Sequence, residues 1–330
     1  MASTVTGIAD VIVPSIFLPY MWQKSTQLSR LVQSGIMQVS PEFAELVTGG
    51  GATFHLPFWN EVNDAAQTLD DEDALETRKL TSQKDMAVRH ALGNAWSTND
   101  LAVALAGDDP MGAVATQLAN WWNKQHQTRV LIPSLKGIFA TALASTHVND
   151  ISIADGNNAA DGNLISADAF IDTMAKLGDH WDKIEAIAMP SKPFFRLQKL
   201  GLIETVQLQD QNINIRMFQG REVIVDDTLP TVAGGTSGYK YTTYLFAKNS
   251  VAFGRSTNPK TPEIEFDRDI LAGDDVMAVR SHFLLHPRGV AFTGSIAGAV
   301  PTQAELEDGA NWTKRWTDKN IPVLALITNG

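Results

Sequence analysis

Two spacings of apolar residues alternate along this chain, and the switches between them mark its parts. From Leu18 to Val32 apolar positions recur at helical spacing and stop at Gly35, a residue suited to closing a helix. "GGGATFHLPFWNEV", Gly49 to Val62, is instead extended and interrupted by proline, and "DMAVRHALGNAW" mixes apolar and polar residues at strand-like spacing. Between these two lies "LDDEDALETRKL", which has no apolar face. Residues 49–96 therefore read as two strands joined by a charged excursion, an arm rather than a compact unit. The strongest helix signal comes next. Asp109 is a good N-cap, Pro110 a good first helical residue, and Met111, Val114, Ala115, Leu118 and Trp122 share one stripe. The stripe continues through Ile132 towards Ala144, with Pro133 expected to kink or split the helix.

Further along, the pattern predicts a helix from Ala167 to Leu177, a buried strand in "IEAIAMP" and a short helix in "SKPFFRLQKLG" capped by Ser191. From Ile213 onward the chain turns to strands: "INIRMF", "EVIV", "TTYLFA", "SVAFG", "EIEF", the long "DVMAVRSHFLLH" and "GVAF". "PTQAELEDGANW" reads as a short helix, and "NIPVLALITNG" as a last buried strand. The order is arm, long helix, then an α+β body.

Composition narrows the class. The 330 residues allow one elaborate domain or two or three smaller ones, and 44% apolar with 19% charged residues is the balance of a folded chain. The formal net charge of −11 argues against general affinity for nucleic-acid backbones or anionic lipid, although a protein that merely encloses nucleic acid needs no basic surface. The absence of cysteine excludes disulfides, thiolate zinc sites and a cysteine nucleophile. It suits a reducing compartment, and equally a particle that must survive outside the cell. The first 22 residues have no basic leader, and their apolar run is broken by Pro14 and Pro19. Neither a secretion signal nor a membrane anchor is expected.

Candidate chemistry is sparse. "VIVDDTLP" ends a β-branched run in Asp226 and Asp227, followed by Pro230. Carboxylates at a strand tip can serve as a nucleophile or metal ligands in an aspartate-dependent phosphohydrolase. Here the second carboxylate comes one place too early for the Asp-x-Asp-x-Thr pattern, and the pair lies late in the chain. The alternative is structural: both side chains accept from nearby backbone N–H groups while Pro230 fixes the exit. The seven histidines are dispersed. His282 and His286 are four apart on one face of a strand, and His286 precedes Pro287 at what reads as a loop end, so no metal site is expected. "GGTSGYK" lacks the spacing of a nucleophile elbow or a phosphate loop and reads as a flexible loop. "NWT" at Asn311 matches a glycosylation sequon that means little without a secretion signal. Trp121 and Trp122 could stack on a base or sugar, but their regular helical stripe favours core or subunit packing. The charge run Asp70, Asp71, Glu72, Asp73 with Arg78 and Lys79 reads as a solvated loop, or as an arm that meets oppositely charged neighbours. No cofactor and no enzymatic constellation is expected.

Several segments in order resemble the major capsid proteins of tailed bacteriophages, which share their fold with encapsulin shells. "VIVDDTLP" resembles the family's strand–Asp–Pro segment of the axial domain, and "YLFAKNSVAFG" its following hairpin. "DRDILAGDDVMAVRSHFLLHPRGVAF" resembles the long peripheral-domain strands, with His286-Pro287-Arg288-Gly289 at the turn. "VPTQAELEDGANW" and "NIPVLALITN" resemble the carboxyl end of one capsid subfamily.

The resemblance implies an α+β, HK97-like capsid fold. Its parts would be an N-terminal arm at 1–35, a peripheral segment at 36–48 and an extended loop at 49–96. The spine helix and peripheral domain would fill 97–149, the axial domain 150–262, the peripheral strands 263–295 and a returning C-terminal segment 296–330. It implies a coat protein forming hexamers and pentamers of an icosahedral head around double-stranded DNA held without sequence-specific contacts. The head would be assembled in the host cytoplasm with a separate scaffolding protein and a portal, and without a membrane. In that frame Phe58, Trp59, the 70–73 run, Arg78 and Lys79 belong to a subunit interface, and Asp226, Asp227 and Pro230 to a structural strand end near the capsomer axis. An encapsulin-like container for cargo is the neighbouring alternative.

Overall fold

The computed structural model describes residues 36–39, 41–62, 64–68, 75–99, 110–208, 213–256, 263–271 and 273–329. The N-terminal arm and its Leu18–Val32 helix, the acidic run Asp70–Asp73 and the Asp109 cap lie outside the described residues.

Two long strands organise the first sheet. β3 (Ser82–Asn99) and β13 (Asp274–Pro287) run antiparallel from Asp274 opposite Asn99 to Leu284 opposite Arg89. The other edge of β13 is shared, its first half pairing with β12 (Ile264–Asp269) and its second with β11 (Val251–Arg255). β1 (Met37–Val39) adds parallel to β11, and β2 (Thr53–Trp59) pairs with the half of β3 that β13 leaves free. Along β13 burial alternates as far as His282, and every residue from Phe283 to Pro287 is buried. The change comes where α1 (Pro41–Thr48) covers the second face, setting Phe43 and Val47 against Phe54, Ala252 and Leu284. A strand covered on both faces reads as a continuous apolar run.

The helix predicted from Pro110 consists of α2 (Pro110–Gln125), a π-helical turn (His126–Leu131) and α3 (Ile132–Ala140). The expected effect of Pro133 takes this form. Pro133 has no N–H and its ring would crowd the carbonyl four residues back, whereas the N–H of Ile132 bonds to Gln127 O five residues back, widening the helix just before the proline. α2 lays Leu118 and Trp122 on Met277 and Val279.

The second sheet runs in the order β4 (Val148–Asp150), β16 (Val323–Asn329), β10 (Tyr239–Ala247), β5 (Ile184–Met189), β8 (Arg221–Val225), β7 (Ile213–Phe218) and β6 (Glu204–Leu208), with β9 (Thr231–Ala233) on β10. Its central strands are buried on both faces. Ala188, Tyr244, Phe246, Val323 and Ala325 face Leu135, Ile138 and Phe139 of α3. Ile187, Met189, Leu245, Leu324 and Leu326 pack under α4 (Ala167–Ala175) and α5 (Ser191–Lys199). α3 also packs against Phe253, Phe283, Leu285 and Phe292 of the other half, so one core joins the two sheets. A ribbon of β14 (Val290–Phe292) and β15 (Trp312–Lys314), closed by α6 (Gln303–Glu307) with a Thr302/Glu305 capping box, completes the fold.

Several local expectations change. "YLFAKNSVAFG" is not a hairpin: β10 and β11 belong to different sheets, because β5 and β16 occupy both edges of β10 and leave β11 no partner there. Ser191 is the first residue of α5 and the N-cap is Pro190. His286 is inside β13 and buried rather than at a loop end. "GGTSG" is held in place by the N–H of Thr236 on Ala154 O, the N–H of Gly234 on Gly238 O and the Ser237 hydroxyl on Asp155.

Candidate assembly surfaces

The strand tip at Asp226 braces two elements. Its Oδ1 accepts from the Thr228 N–H at 2.9 Å and the Thr228 hydroxyl at 2.7 Å, and Gln127 Nε2 of the π turn donates to its Oδ2. Asp227 Oδ1 accepts the Ser191 N–H at 2.7 Å, at the start of α5. The N–H and hydroxyl of Ser191 hold this carboxyl below the usual carboxylate range, since a charged acceptor is favoured where a helix presents unpaired N–H groups. Pro230 O accepts from the Thr242 N–H, fixing the exit onto β10. No cluster of three His, Asp or Glu fit to hold a metal occurs among the described residues.

A second joint, invisible in the sequence, anchors the base of the extended arm. Asp85 on β3 is buried and its Oδ1 lies 3.2 Å from His286 Nε2, while its Oδ2 accepts the Gly289 N–H at 3.2 Å. Burial alone would raise the Asp85 carboxyl, but the charge and hydrogen bond of His286 and the N–H groups of Gly289 and Met86 outweigh it and hold it low. His282, four residues away, does not share this site, and its Nδ1 is buried without a partner among the described residues.

Beyond that joint the arm has little cover. Phe58 meets Trp316 edge-on at 6.0 Å, but Trp59 is 69% exposed, and Val62, Leu75 and Leu80 are exposed as well. Arg78 pairs with Asp64 at 3.0 Å within the arm, and Lys79 is exposed. Of the two tryptophans on α2, Trp122 is buried in the core, and Trp121 packs on Trp96 at 5.2 Å. No described helix is long and apolar enough to cross a membrane.

A spine helix between two sheets, with an arm at its edge, defines the class: this is the HK97-like fold of phage capsid proteins. The chain superposes on the capsid of Ralstonia phage GP4 with a TM-score of 0.61 and 9% identity, covering 91% of this chain and 88% of that one. It matches the cyanophage Pam1 capsid at 0.58 and 11% identity over 91% and 92%. The head of Helicobacter pylori bacteriophage KHP40 matches at 0.53 and 10% identity over 89% and 86%. The model of the Gp13-like family, described as major capsid protein 13-like, matches residues 51–321. The chain is also 38% identical over 324 residues to the major capsid protein of Bacillus phage SPP1, covering 97% of each. It belongs to this family of major capsid proteins and is a virion component that self-assembles into a capsid lattice.

Proposed function

We propose that the subunit forms the hexamers and pentamers of an icosahedral head that encloses double-stranded DNA without reading its sequence, with a separate scaffolding protein and a portal. It does no enzymatic chemistry in this role, and Asp226 and Asp227 serve as braces near the capsomer axis. The observation that carries the reading is the arm. β2 and the first half of β3 form a ribbon that continues into residues nearly all exposed, Trp59, Val62, Leu75 and Leu80 among them. A two-stranded ribbon is marginal by itself in water, and its apolar side chains stabilise something only when a second surface covers them. Residues 49–96 then lie over a neighbouring subunit as the extended loop, with Phe58, Trp59, the 70–73 run, Arg78 and Lys79 in that contact. The spine helix and the β3–β13 sheet make the peripheral domain, and the second sheet most of the axial domain.

Negative-stain imaging of the purified chain with its scaffolding protein tests this, closed shells, tubes or sheets being the expected result. A monomer at every salt and protein concentration overturns it. Reversing Asp70, Asp71, Glu72 and Asp73 to Lys separates arm from core. On this reading subunit melting changes little, because charges that a subunit leaves in water contribute about 0–1 kcal/mol. Assembly at low salt should fall sharply, and added salt should narrow the gap.

A further inference from the structure

The turn between β12 and β13 exposes its largest apolar side chains. Ile270 is 85% and Leu271 100% exposed. The turn itself is firmly built: Leu271 N–H donates to Asp269 Oδ1 at 3.0 Å, Gly273 N–H donates to Asp269 O at 2.8 Å, and Gly273 takes a φ of 69°. Arg268 is committed to Asp275, its Nη1 reaching both carboxylate oxygens at 3.0 Å. The tip is thus an apolar knob, and the exposed Asp267 lies on the strand that leads to it. Two adjacent aliphatic side chains held out in water by a well-bonded turn suggest a contact made outside the subunit.

Among the described residues, three surface cavities can be compared for their fitness to receive it. The one over α1 carries Glu42 and Glu45 and would repel Asp267. The one between Ile171 and Trp181 has Arg221 at its wall, but that guanidinium already donates to Ile184 O and Gln219 O. The third, at the base of the arm, is walled by Phe58, Trp59 and Trp316 with Gln83 and Arg315, and Glu61 stands at its exposed rim. Arg315 makes no ion pair, and its Nε, like Trp316 Nε1, is buried without a partner among the described residues. Aromatic walls with an unpaired guanidinium complement an apolar tip whose hairpin also presents the exposed Asp267.

Taking the shell reading above as given, we infer that the Ile270–Leu271 tip of one subunit docks in the Phe58–Trp59–Trp316–Arg315 cradle of a second copy. Knob and cradle are different surfaces, so the contact is head-to-tail and propagates from subunit to subunit, as a ring or lattice requires.

The chain has no cysteine, which makes disulfide trapping clean. Particles of the Leu271→Cys, Gln83→Cys double variant, when oxidised, should give a ladder of linked chains on a non-reducing gel, and neither single variant should. Assembled particles that give no ladder, or singles that link as well as the double, overturn the docking while leaving the shell reading intact. A parent chain that never assembles overturns both. Independently, Leu271→Ser and Trp59→Ala should each lower the assembled fraction at least tenfold at fixed concentration, with subunit melting unchanged. Combining them should do no further harm if they remove one contact. Additive losses, or no loss, also overturn the docking.

Discussion

His126 sits in the π turn with its ring against Trp122, Phe253 and Phe283, the last at 4.3 Å, and its Nε2 has no hydrogen-bond partner among the described residues. Burial, with the charges of Arg255 and His90 beside it, lowers its pKa to about 3. His90 is likewise at about 3, through burial and the nearby His286, with a backbone hydrogen bond at Leu285 pulling the other way. Both rings stay neutral in the folded subunit, yet in the unfolded chain they take up a proton near 6.5. Stability is therefore full above pH 6.5 and declines as pH falls towards 3, each ring contributing a slope of about 1.4 kcal/mol per pH unit. Asp85, whose folded value is lowered from 3.8, adds loss only below that pH. His126→Phe keeps the ring packing and removes one titration. In urea unfolding of the unassembled subunit it should match the parent within about 1.5 kcal/mol at pH 7.5 and exceed it at pH 4.5. Equal pH slopes for the two proteins would refute this assignment. Gly137, on α3, offers a different contest. Alanine there gains about 1 kcal/mol of helix propensity. Its Cβ, however, would fall on the Leu306 carbonyl and 2.6 Å from Trp312 Nε1, the two partners of a buried 2.8 Å hydrogen bond. Sterics should win, and Gly137→Ala should destabilise by about 1–3 kcal/mol in thermal melts.

Elements were legible where one face or both faces are decided by local pattern. β5 from Ala186 onward and β16 as far as Ile327 stand out as apolar runs because helices cover one face and the spine the other. α2 announces itself by its stripe, and the chain's sequence also marks α6, whose Thr302/Glu305 spacing is a capping box. α1 escaped, although Pro41 at its start and Phe43 and Val47 four apart are a readable signal. What α1 lacks is the capping box that marks α6, for Phe43 stands at the third helical position where α6 has Glu305. The fate of β11 was not legible at all, since whether a strand pairs with its predecessor depends on which edges are already taken. The same holds for the Asp85–His286 joint, whose members lie 201 residues apart. That joint fastens the arm's second strand to the β13–β14 turn. Asp85→Ala strands the His286 ring nitrogen and the Gly289 N–H in a buried place and should cost about 3 kcal/mol, whereas Asp85→Asn, which keeps an acceptor, should cost less. Chemical denaturation of both variants checks the order. Equal losses would mean that the charge, not the hydrogen bonding, matters there.

At the scale of the whole molecule the question is whether the two sheets form one body or two. Sheet-on-sheet contact is not what joins them. α3 lies between, with Leu135, Ile138 and Phe139 touching Tyr244, Phe246 and Val323 on one side and residues of the Phe253–Phe283–Phe292 group on the other. The ring of Phe139 stacks on Tyr244 at 5.6 Å, and Tyr244 is so enclosed that burial pushes its hydroxyl well above the usual tyrosine range, leaving it a neutral packing group. A further tie joins the spine to the second sheet, where Gln127 of the π turn donates to Asp226. A shared core of this kind makes the subunit one cooperative unit, which suits a part whose arm and tips must be presented in fixed relation to neighbours. Ile138 is wholly buried in that core. Ile138→Ala removes three carbons from a site walled by two sheets that cannot both collapse inward, so the loss should be about 3 kcal/mol. The sharper expectation concerns where the loss is felt. In native-state hydrogen exchange, amides of β10 and of β13 should lose protection by the same amount, and unfolding should remain a single transition by every probe. If β13 keeps its protection while β10 loses it, or the melt splits in two, the sheets are separate cooperative units and the spine merely passes between them.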